Sequence, residues 1–152
     1  LALGDLEGLT GRGARHKIAV SGGEALLVDE SYNANSASMA ATLAVLGAEP
    51  ATRRIAVLGE MRELGANSAA LHAALAEPVI DAKVDFALLV GPGMAPLAQA
   101  LSGKVETLHV ADAATALETL RPMLRADDVI LIKGSNAVGL GHVVARLADG
   151  ND

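Results

Sequence analysis

The 152-residue chain has no cysteine and no tryptophan, one tyrosine and one phenylalanine. Without thiols it can build neither a disulfide framework nor a thiolate metal centre, and the expected setting is a reducing, cytoplasmic one. Aromatic residues make up 1% of the chain and hydrophobic residues 51%, so close packing of small and aliphatic side chains must hold the core. Basic residues are also scarce: 12 against 18 acids, a formal charge of −6, with no cluster. That argues against nucleic acid as a partner. No apolar run approaches the roughly 20 residues that span a bilayer, and the first residues lack a charged-then-apolar signal pattern, so no membrane partner is expected. The chain opens on LALGDLEG without methionine, which points to processing or to a piece of something longer.

The length suits one domain with a real core. Residues 1–15, rich in Gly and small polar side chains, read as a linker, and the domain is placed at residues 16–152. KIAV from Lys17 and EALLVDE up to Glu30 flank Ser-Gly-Gly, which predicts an antiparallel hairpin. Ser36 to Leu46 has apolar residues at helical spacing, with Asn35 or Ser36 as N-cap. Short apolar runs then alternate with helical patterns: Arg53 to Gly59, a helix over Ser68 to Ile80 despite Pro78, Val84 to Gly91, and a helix over Ala95 to Leu101. Val105 to Val110, a helix from near Asp112, Asp128 to Gly134 and a helix over Val138 to Leu147 complete the alternation. The pattern predicts an open, mostly parallel α/β sheet with helices on both faces, to which the first hairpin adds an antiparallel strand. Ligands of such sheets sit beyond the carboxyl ends of the strands. The informative residues are therefore Asp29 to Asn35, Gly59 to Gly65, Gly91 to Met94 and Lys133 to Asn136.

Two glycine patterns resemble phosphate loops and fail. Gly91-Pro-Gly-Met-Ala-Pro96 has proline where a dinucleotide fingerprint needs its third glycine, so it reads as a tight turn into a helix. Gly134 to Gly139 has P-loop spacing, but Leu140-Gly141 stands where Lys-Ser/Thr would hold phosphate and Mg²⁺. Lys133, followed by Gly134 and Ser135 at a helix entrance, fits either an anion site or a lysine snorkelling from a strand end. Glu60 and Glu63 offer a paired-carboxylate reading, against which stands a loop shaped by Gly59 and Gly65. His72, further along, reads as an ordinary half-buried histidine. At the first corner, alternation sends Asp29 and Glu30 to opposite faces. Tyr32 can stack on a ring, and Asn33 and Asn35 can either read a ligand or make turns and caps.

DESYNANSASM at 29–39, IAVLGEMRELGANSAALH at 55–72 and ILIKGSNAVGL at 130–140, in that order, resemble the C-terminal domain of the Mur ligases. Within the family the likeness is to the branch that joins D-Ala-D-Ala to UDP-MurNAc-tripeptide in peptidoglycan precursor synthesis. It runs in register from about Leu3 to Val144 and includes Gly11-Arg12. The resemblance implies a Rossmann-like fold, residues 1–15 as interdomain linker, and two further domains absent from this chain, one holding the UDP-substrate and a central P-loop ATPase. It implies ATP and Mg²⁺ as cofactors, both held mainly by that central domain. Arg12, Asp29, Tyr32, Asn33 and Asn35 would touch the nucleotide, and Lys133, Gly134, Ser135, Glu63 and His72 would face the incoming dipeptide. It implies no catalytic residue within this domain, no metal ligand, a monomer, and a fragment inactive alone. Relatives carry Pro where this chain has Ser36, Arg where it has Asn136, and Gly-Asp where it has Gly59-Glu60. The competing expectations are a sister ligase, MurE-like or folylpolyglutamate-like, and a freestanding α/β ligand-binding module.

Overall fold

The computed structural model describes residues 13–31, 34–62, 64–134 and 138–148. Its frame is a six-stranded sheet: β1 (Ala14–Val20), β2 (Gly23–Glu30), β3 (Arg53–Gly59), β4 (Phe86–Val90), β5 (Glu106–Val110) and β6 (Asp128–Lys133). The spatial order is β1-β2-β6-β3-β4-β5, with β1 and β2 antiparallel and every other neighbouring pair parallel. Val20 pairs with Gly23, so Ser21-Gly22 is the whole hairpin loop, and Gly22 supplies the positive φ of +87°. β1 takes in Ala14 and Arg15, which the sequence reading leaves in the linker.

The helices are α1 (Ser36–Ala48), α2 (Ser68–Ala73), α3 (Ala76–Asp81), α4 (Ala95–Leu101), α5 (Ala113–Met123) and α6 (Leu140–Ala148). Strand residues alternate between two cores. Val28, Ala56, Leu58, Leu89 and Leu131 meet α1, α3 and α4 on one face. Leu27, Val57, Leu88, Ile130 and Ile132 meet α5 and α6 on the other. Because both faces are covered, the central strands read as continuous apolar runs. No helix among the described residues is long and apolar enough to cross a membrane.

One expected helix is two. The pattern over Ser68 to Ile80 breaks between α2 and α3 at Ala74 and Leu75. Pro78 has no N–H for the Ala74 carbonyl and its ring would crowd that oxygen, which in a helix interior costs ~3 kcal/mol or more. The chain restarts instead, placing Pro78 in the first turn of α3, where its missing donor has no intrahelical partner to lose.

Close approach fixes two glycines at the carboxyl end of the sheet. A Cβ on Gly134 would lie 2.8 Å from Leu140 Cδ1 and 3.2 Å from Gly59 Cα, and one on Gly59 would meet the same leucine at 3.0 Å. The ends of β3 and β6 therefore touch backbone to backbone beneath the first residue of α6.

Candidate functional site

At the carboxyl edge, β2 and β3 are followed by segments leading to helices on one face, while β6, between them, leads to α6 on the other. The connections diverge there, which is the topological position at which open α/β sheets form a ligand crevice. The N-termini of α1 and α6 both lie at this edge, each carrying the partial positive charge of a helix start.

Asp29 and Glu30 do point to opposite faces. Asp29 is 1% exposed, and its Oδ1 accepts from Ser31 N at 3.0 Å and from Ser31 Oγ at 2.6 Å. In this conformation the carboxylate shapes the departure of the chain from β2. Glu30 stands opposite Lys133 in the β2–β6 register, and Lys133 is also opposite Leu58 of β3. Lys133 is 3% exposed. Burial pushes its ammonium below the ordinary lysine range, with Glu30 acting the other way. Burial likewise raises the Glu30 carboxyl; Lys133 lowers it and Asp29 raises it further. Folding thus holds an opposed carboxylate and ammonium at the edge despite the desolvation of both.

Asn35 is the N-cap of α1. Its Oδ1 accepts from Ser38 N at 2.9 Å while Ser38 Oγ accepts from Asn35 N at 3.1 Å, a reciprocal capping box. Of the remaining candidates, Arg12, Tyr32, Asn33, Glu63 and Ser135, together with Asn136, lie outside the described residues. Gly134 is at the β3–β6 contact described above.

His72 has no exposed surface, and both ring nitrogens are engaged. Nε2 accepts from Met61 N at 2.8 Å, so Nδ1 carries the proton and donates to Ser68 O at 2.8 Å. In this arrangement His72 offers a ligand nothing. In this structure the ring supports the loop after β3, with a backbone N–H on the one lone pair of the ring.

Glu60 is the residue whose task the sequence did not disclose. Its Oε1 accepts from Gly93 N at 2.6 Å and its backbone N donates to Val90 O at 3.1 Å. A Cβ on Gly91 or Gly93 would come within 2.6 or 2.8 Å of that Oε1. From the far side, His109 Nε2 donates to Gly91 O at 2.6 Å. The two loops are therefore bolted together, and the Gly-x-Gly spacing at 91–93 was the available signal: room for an incoming side chain. Beside them an open cleft of about 400 Å³ is bordered by Glu60, Arg62, Ser68 and Pro92. Arg62 is 52% exposed there, with Nη1 3.7 Å from Glu60 Oε2. No cluster of three or more His, Asp or Glu side chains suited to a metal occurs among the described residues.

A family described as "Mur ligase, glutamate ligase domain" matches residues 14–136. The chain belongs to the Mur ligase family. Among curated relatives, the UDP-N-acetylmuramoyl-tripeptide–D-alanyl-D-alanine ligase of Synechocystis is 38% identical over 128 residues, 83% of this chain and 28% of that protein. Among solved structures, MurF from Acinetobacter baumannii superposes with a TM-score of 0.81 at 24% identity, covering 97% of this chain and 32% of that one. MurF ligase from Thermotoga maritima in complex with ADP gives 0.76 at 24%, covering 97% and 33%. The two structures bear out the fold. The chain spans about a third or less of these relatives' lengths.

Proposed function

We propose that this Mur ligase domain is the C-terminal part of an ATP-dependent enzyme that joins D-Ala-D-Ala to UDP-MurNAc-tripeptide in peptidoglycan precursor synthesis. The observation that carries the reading is the 38% identity, over 83% of the chain, to a ligase of that name. The carboxyl-edge crevice supports it, and so does the ADP complex of a structural neighbour. In the proposed reaction ATP phosphorylates the tripeptide carboxylate, the dipeptide amine attacks the acyl phosphate, the amide forms, and phosphate leaves with the excess proton passing to solvent. The chain contributes a wall. Glu30, Lys133 and the backbone N–H groups at the α1 and α6 entrances face the nucleotide and the acceptor, while the bolted loops at Glu60 and Gly93 hold the crevice in shape. Closing this wall over the other domains excludes water from the acyl phosphate and orders the nucleophile. Arg12, Tyr32, Asn33 and Asn35 on the nucleotide, and Gly134, Ser135 and Glu63 near the acceptor, remain part of the proposal, as do Mg²⁺ held outside this domain, a cytoplasmic setting and a monomer.

The test is phosphate release by the full-length polypeptide with UDP-MurNAc-tripeptide and Mg·ATP. Release that depends on D-Ala-D-Ala, with none from the 152-residue chain alone, is the expected result. Release only with a single amino acid would assign a sister ligase, and no release with any acceptor would leave a binding module.

A further inference from the structure

Two arginines at the opposite end of the sheet form no ion pair with an acid among the described residues. Arg121 lies in the last turn of α5 and Arg146 in the last turn of α6. Both border one pocket of about 70 Å³, whose other walls are apolar, from Ile18, Val20, Leu124 and Leu147. Arg121 Nη2 is buried and has no hydrogen-bond partner. Neither guanidinium takes part in any of the ion pairs among the described residues. In a chain of net charge −6, a pocket with two guanidinium groups and no acid among its described lining residues stands against the prevailing field.

We propose that Arg121 and Arg146 form a subsite for one small oxyanion of phosphate size, remote from the carboxyl-edge crevice. A buried donor left unmade is costly, and an incoming acceptor removes that cost. The guanidinium fork matches phosphate oxygens and holds its charge at every physiological pH. Against the anion stand the carbonyl ends of α5 and α6, each equivalent to about half a negative charge. Two full positive charges exceed them. The pocket of about 70 Å³ exceeds the roughly 10–15 Å³ of cavity space that one water needs, so a small group has room between the two guanidinium groups.

The subsite stands independently of the ligase reading and is testable on the chain itself. Sodium phosphate is titrated at constant ionic strength while the Nε–H signals of both arginines are followed by ¹H–¹⁵N NMR, with chloride and acetate as parallel arms. The expected result is a saturable shift at Arg121 and Arg146 with phosphate, and a shift with chloride no larger than the buffer drift. Arg146→Gln, at an exposed side chain, and Arg121→Gln should each weaken binding about tenfold to a hundredfold, the loss expected for one charge-assisted hydrogen bond. A shift linear in phosphate, an equal response to chloride, or an Arg146→Gln protein that titrates like the unaltered one would overturn the proposal. Saturation with acetate but not phosphate would overturn it too, since the group bound would then be a carboxylate.

Discussion

Replacing His72 by alanine removes both ends of a buried clamp. The Met61 N–H, on a residue 4% exposed, loses its acceptor at 2.8 Å, and the Ser68 carbonyl loses its donor at 2.8 Å. The stranded donor alone costs about 1–3 kcal/mol, and the void left by a ring with no exposed surface adds to it. A total of about 2–4 kcal/mol is expected, which for a domain of this size lowers the melting temperature by roughly 4–16 °C. His72→Gln can offer an amide oxygen to Met61 and an amide N–H to Ser68, so it should recover most of the loss. Thermal unfolding reads the stability, and hydrogen exchange at the Met61 amide reads the clamp. A His72→Ala protein that melts within about 2 °C of the unaltered chain, with Met61 still protected, would refute the reasoning.

Arg53→Ala should cost about 3 kcal/mol in urea unfolding, because it strips the 1%-exposed Asp128 of the bonds from Arg53 Nε and Nη2 at 3.0 and 2.6 Å and leaves mainly the Arg125 N–H; a loss under about 1 kcal/mol would contradict this. For Glu30 the folded carboxyl titrates above its ordinary value, so its contribution is greatest below the unfolded pKa and is lost as pH rises through the folded one. The stability of the unaltered chain relative to Glu30→Gln should therefore grow on acidification from pH 7, and a flat difference in melting temperature would contradict the burial argument. Gly47→Ala gains ~1 kcal/mol of helix propensity, but its Cβ would lie 2.9 Å from Ala82 Cα, an overpacking of α1 on α3 that costs about 1–3 kcal/mol; a clear rise in melting temperature would count against that contact.

Much of the fold was legible because strand, turn and cap signals agreed. Arg53 to Gly59 and Ala95 to Leu101 fall where the apolar runs and prolines put them, and Asp112 and Asn35 cap the helices they precede. The helix over Ser68 to Ile80 misled, since apolar periodicity continues across Ala74 and Leu75 while the helix stops and restarts there. The candidate site was legible as a set of strand ends and illegible in its internal wiring. Nothing local in the sequence says that Glu60 reaches Gly93, 33 residues away, or that His72 spends its lone pair on Met61. Such pairings depend on which strands become neighbours, and β6 entering between β2 and β3 is a property of the whole chain. The Glu30–Lys133 pair was hidden for the same reason, 103 residues apart in sequence and side by side in register.

Lys133, 3% exposed at the end of β6, is the residue at which the proposed ligase role is tested most directly. The measurement is kcat, and KM for ATP and D-Ala-D-Ala, in the full-length polypeptide carrying Lys133→Met, a change that keeps the length of the side chain and removes the charge. A fall in kcat of about a hundredfold or more, the scale for losing one preorganised electrostatic group, with the unfolding midpoint unchanged or raised, is the predicted result. Unaltered kcat and KM values in a folded variant would contradict the account.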